Sequence, residues 1–181
     1  MRKINIVQYF FFIILAGVTF SSCMTIKPAS TKSPKRHYET FYTEQGTMYF
    51  IKPFTLKSKS NKESLTIDFT FTKTDITADS ATVNFSIVAS EVIKSIESLT
   101  IKNDQNQSKT GNLKLLFNEP EGKNFISRYS VEIPLSQIID LFANENWVFE
   151  IETSSKPYNF HTEKDTKQNI GKLKGWIFDL F

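Results

Sequence analysis

The chain has few groups suited to acid–base, metal or nucleophilic chemistry: two histidines, one cysteine and 19 carboxylates. His161, Glu163 and Asp165 fall at alternate positions, so an extended backbone would bring an imidazole and two carboxylates to one face, a donor set that suits a hard or borderline metal. Any solvated strand face shows the same alternation of polar residues, and that is the expectation here. His37 lies in a Ser-, Thr-, Lys- and Pro-rich stretch where nothing would hold a general base in register. Asp104 and Asn106 could open a calcium loop, but its glycine and closing glutamate are missing. Glu119 and Glu121 flank Pro120 in an expected turn, not across a cleft. A glycine-rich phosphate loop, a Gly-x-Ser-x-Gly elbow and a Cys-x-x-Cys pair are all missing from the sequence. The expectation is a non-enzymatic protein with no cofactor and no metal.

Aromatic side chains are the richer resource, because Trp and Tyr faces stack on sugar rings. Trp147, Tyr158 and Trp176 are the candidates for a ligand-binding platform for a glycan or peptide. Trp147 alternates with Phe149 and Ile151, and Trp176 with Phe178 and Leu180, which points both towards a core. Tyr158 is the freer of the three.

The elements that must position these residues are mostly strands. Leu65, Ile67, Phe69 and Phe71 line one face while Thr66, Asp68 and Thr70 line the other, and Val83, Phe85 and Ile87 repeat the pattern. Residues 73–80 between them are expected to be a hairpin loop. Further strands are predicted over 48–56, bent at Pro53, and over 96–101, 113–117, 125–133 and 147–151, with turns at 103–107 and 119–122. Leu135, Ile138, Ile139 and Phe142 sit at helical spacing behind Ser136, a candidate cap, so a short helix is predicted to about residue 144. A final strand is predicted over 171–181. Its end at Phe181 looks like the last strand of an outer-membrane barrel, but Asp179 shares that face and the other strands are too short to span. The fold class is all-β: an antiparallel β-sandwich with one short helix, of which the immunoglobulin-like arrangement is one form. The alternative is an α+β arrangement with the helix across one sheet face.

The chain opens on Arg2 and Lys3, continues through an uncharged apolar run over 4–20, and reaches two small residues before its one cysteine. That is the layout of an export signal. The junction Phe20-Ser21-Ser22-Cys23 resembles that of bacterial lipoproteins, with Phe20 where an aliphatic residue is usual, and the Lys-, Asn-, Ile- and Phe-rich composition resembles lipoproteins of the Bacteroidota. The resemblance covers the first 23 residues and implies cleavage before Cys23, acylation of its thiol by chains such as palmitate, and a permanent membrane anchor. It also implies an outer-membrane lipoprotein of the cell envelope. Because the residues after Cys23 lack the acidic cluster that resembles a surface-export tag, the periplasmic side is expected.

The domain reading is a signal peptide over 1–22, a flexible tether over 23–45 and one domain over 46–181. With Arg2 and Lys3 removed, 20 basic residues face 19 acidic ones, which gives no electrostatic reason to bind nucleic acid. The basic excess lies in 27–62 and reads as a solvated linker, or as a collar drawn to anionic lipid. With one cysteine no intrachain disulfide forms. The function expected from sequence is therefore an anchored accessory domain that contacts an envelope protein, the alternative being a glycan- or peptide-binding module, and a hydrolase or metal enzyme coming third.

Overall fold

The computed structural model describes residues 37–60, 62–73 and 80–180. The signal segment, Cys23, most of the tether and most of the 73–80 loop lie outside the described residues. Ten antiparallel strands form one sheet: β1 (Tyr38–Thr43), β2 (Gly46–Ser58), β3 (Ser64–Lys73), β4 (Ser80–Ala89), β5 (Ser98–Lys102), β6 (Gln107–Thr110), β7 (Lys114–Glu121), β8 (Asn124–Pro134), β9 (Val148–Glu152) and β10 (Tyr158–Thr162). Helix α1 (Leu135–Phe142) follows β8, helix α2 (Lys164–Trp176) follows β10, and a single 3-10 turn covers Phe178–Leu180. The all-β antiparallel class with a short helix holds. The strands do not separate into two stacked sheets, however: they run β6-β5-β9-β10-β2-β3-β4-β8-β7 in one sheet curled into a half-barrel, with β1 paired to β2.

The long strand β2 is the spine of this arrangement. Along one flank it pairs with β3, from Thr47 with Lys73 to Lys57 with Ser64. On the other flank β1 pairs as far as Ile51, and β10 takes over at Leu56. Between those two partners the register with β3 shifts, leaving Lys52 and Pro53 in a bulge. Pro53 has no N–H for a ladder, so a bulge is where a strand tolerates it.

Alternation puts Ile51, Phe54, Leu56, Leu65, Ile67, Phe69, Phe71, Val83, Phe85 and Ile87 on the inner face, all buried. The helices close over that face. In α1, Leu135, Ile138, Leu141 and Phe142 are buried, and Phe142 meets Trp147 edge-on at 4.7 Å and stacks on Phe178 at 4.0 Å. The cap of α1 is Pro134, with no side-chain hydrogen bond, so Ser136 lies within the helix and not at its cap. At the other end Asn103 Nδ2 and Trp147 Nε1 donate to the last carbonyls, Asn103 to Asp140 and Leu141 at 2.8 and 3.1 Å and Trp147 to Leu141 and Asn144 at 2.9 and 2.7 Å. Those donors satisfy groups that a helix end leaves open.

Several local expectations change. Residues 38–43 form β1 instead of tether. The 119–122 turn moves two residues on: Glu119, Pro120 and Glu121 belong to β7, and the hairpin closes through Gly122, whose φ of 61° suits a residue without Cβ. The predicted final strand is helical as far as Trp176, because Thr166, Ile170 and Leu173 are buried at intervals of three and four. The apolar alternation in that segment begins only where the helix ends.

The outer sheet face is polar, yet it is not simply solvated. Asp68 is only 2% exposed; its carboxylate accepts from Arg128 at 2.7 Å and from Asn84 at 3.0 Å, and Arg128 also donates to Ser86 at 2.9 Å. No helix among the described residues is long and apolar enough to cross a membrane.

Candidate functional site

Where β1 leaves β2 and β10 has yet to join it, the Lys52-Pro53 bulge and helix α2 enclose a cleft of about 420 Å³. Its walls are His37, Lys52, Pro53 and Phe54 on the strand side and Asp165, Gln168, Asn169 and Lys172 on the helix side. The helix residues lie three and four apart, so one face of α2 presents them together. Thr166 fixes the helix to the sheet by donating to the Thr55 carbonyl at 2.8 Å. On the strand side, Lys52 N–H donates to the His37 carbonyl at 2.9 Å, and the Lys52 amine pairs with Glu39 at 2.8 Å. The His37 ring lies 5.6 Å from that of half-buried Trp176, at an angle of 43°. The cleft therefore offers two amines, two amides, a carboxylate and an imidazole beside an indole. Such a lining can orient a polar ligand by hydrogen bonds.

The sequence-derived candidates are dispersed. Trp147 is buried inside the barrel, its ring 5.8 Å from Phe54 and 5.9 Å from Phe69, so it is core and presents no face to a ligand. Tyr158, expected to be the freest aromatic, is buried as well: its ring stacks on Phe160 at 6.3 Å and its hydroxyl donates to Glu91 at 2.9 Å. Lys156 lies 4.8 Å over the same ring and pairs with Glu91 at 3.0 Å. Burial, followed by the Glu91 hydrogen bond, pushes the phenol up to about 12. Of the three aromatic candidates, only Trp176 adjoins the cleft.

His161, Glu163 and Asp165 do not share a face, because the chain turns from β10 into α2 at Lys164. His161 and Glu163 line a shallow recess with Lys57, Ser58, Lys59 and Thr162, while Asp165 belongs to the cleft. Burial, and then the nearby Lys59 charge, hold the His161 imidazole below its ordinary range, and its Nε2 is buried without a hydrogen-bond partner. The Lys59 and Lys102 charges near it also disfavour a cation, with Glu150 opposing them. Among the described residues no three His, Cys, Asp or Glu side chains stand close enough to hold one ion. Glu119 and Glu121 lie exposed on β7.

A second surface is apolar. Leu115, Leu116 and Phe117 on β7 are 37%, 44% and 38% exposed, and β7 is the last strand of its arm of the sheet. A run of three apolar residues was visible in the sequence, but which of them the sheet leaves uncovered depends on strand order. The cleft was hidden for the same reason: Lys52, Gln168, Asn169 and Lys172 are ordinary surface types that only the packing of α2 on β2 assembles. No family model, no curated protein and no solved structure matches this chain.

Proposed function

We propose that the chain is a lipid-anchored lipoprotein of the cell envelope, held through Cys23 on the periplasmic side of the outer membrane, with its β domain serving as a non-catalytic interaction module. The anchor rests on the sequence Phe20-Ser21-Ser22-Cys23 behind its apolar run, outside the described residues. The observation that carries the interaction reading is the uncovered edge strand β7, on which Leu115, Leu116 and Phe117 are all exposed, since an open strand edge offers its backbone and side chains to another chain. The test is fractionation of cells producing wild type and Cys23→Ala. The variant is expected to leave the membrane fraction while keeping the wild-type circular dichroism spectrum, because anchor and core are separate. Unchanged membrane retention would refute the anchor.

A second reading, a binding module for a glycan or peptide, is favoured by the α2–β2 cleft. There the Lys52 and Lys172 amines and the Gln168 and Asn169 amides gather beside His37 and Trp176. It would place the ligand on α2, away from Trp147 and Tyr158.

A further inference from the structure

We propose that strand β7 pairs with β7 of a second copy of this chain, antiparallel across a twofold axis, joining two curled sheets edge to edge. The proposal rests on the interaction reading above and names its partner. Among the described residues nothing pairs with the outer edge of β7, and all eight of its residues are exposed. Such an edge is a template for another strand.

The register follows from the bulge. Lys114 lies opposite Ser130, Phe117 opposite Arg128 and Glu119 opposite Ile126, on the outer face that carries Asp68 and Asn84. Leu115 and Asn118 lie opposite Tyr129 and Ser127, which are buried on the inner face. Leu116 is the extra residue of the bulge and has no partner of its own on β8. Among the paired positions, 114, 117 and 119 are therefore outer and 115 and 118 inner. An antiparallel copy centred between Leu116 and Phe117 sets outer Lys114 against outer Glu119 and inner Leu115 against inner Asn118, whereas sliding it by one residue sets inner against outer.

In that one register Leu116 of each copy meets Phe117 of the other, and Lys114 of each meets Glu119 of the other. Apolar contact at the centre is flanked by two ion pairs, each made by residues that lack an ion-pair partner among the described residues. Pro120 comes next and has no N–H to extend the ladder, which limits the pairing to this stretch. A twofold pair uses the edge once in each copy, so the assembly closes at two.

The experiment is the protein mass of the full chain in detergent, by light scattering after size exclusion over a concentration series, for wild type, Lys114→Glu, Glu119→Lys and the double variant. Wild type is expected to reach the mass of two chains. Each single reversal sets like charges opposite one another at both flanks, which should weaken pairing by about tenfold or more, and the double variant, with opposite charges restored, should regain it. All four should melt alike, because both positions are exposed. A one-chain mass for wild type throughout, or a two-chain mass indifferent to the single reversals, would overturn self-pairing. Photo-crosslinking from position 116 in intact cells separates the two levels. An adduct of two copies supports the pair; an adduct with a different protein overturns the pair and leaves the interaction reading standing; no adduct overturns both.

Discussion

A buried ring nitrogen without a partner makes His161 the most informative single residue. Its Nε2 has no acceptor for a proton, and burial with Lys59 close by holds the imidazole below its ordinary value near 6.5. In the window below about 6.5 the unfolded chain takes up a proton more readily than the folded one. The stability that neutral His161 contributes is therefore complete above that value and is lost as pH falls through the lowered folded value. Urea midpoints measured from neutral to mildly acid pH should fall less steeply for His161→Gln than for wild type; parallel curves would show that the imidazole is not desolvated. None of this was legible in the sequence, where His161 stands out only by its spacing from two carboxylates. Spacing of two puts side chains on one face only while the backbone stays extended, and Lys164 begins a helix. Tyr158 failed as a candidate for a related reason: a tyrosine followed by one polar residue and a Phe reads equally as edge or core, and the Glu91 carboxylate that accepts its hydroxyl is 67 residues away.

Elements with one clean apolar face were readable, and those without were not. β3, β4 and β8 alternate along most of their length, buried Asp68 in β3 being an exception, and their inner faces are the centre of the core. Phe69, fully buried, meets Phe142 at 5.5 Å and Trp147 at 5.9 Å, so Phe69→Ala should cost about 3–5 kcal/mol. Chemical unfolding that gives a loss below about 1 kcal/mol would place that ring outside the core. By contrast β1 is exposed along five of its six residues, so no buried stripe marks it as a strand. Helix α2 buries only Thr166, Ile170 and Leu173 and contains Gly171 and Gly175, which weakens both its stripe and its intrinsic propensity. What makes it a helix is its place on β2, through Thr166 and Thr55. β7 hides a further irregularity: Leu113, Leu115 and Phe117 alternate in sequence, yet the bulge at Leu116 turns Leu115 inward and Phe117 outward.

At the scale of the whole molecule, the class of fold was legible because alternation dictates antiparallel strands with one buried face. The sheet count was not. One sheet that curls round its own apolar face and takes two helices into its concavity buries the same residues as two stacked sheets, so composition and period do not distinguish them. The curl leaves β6 and β7 as separate ends. Of these, β6 is four residues long and is tied to α1 by Ser108 donating to Gln137, while β7 is twice that length and free of such cover. The proposed function combines that open edge with a lipid anchor at Cys23. The anchor is the premise of that account, and mass spectrometry of the protein purified from its own membranes tests it most directly. The account predicts a mature chain that begins at Cys23 and carries acyl chains on that residue. An unmodified Cys23, or a mature chain that retains residues 1–22, would contradict it.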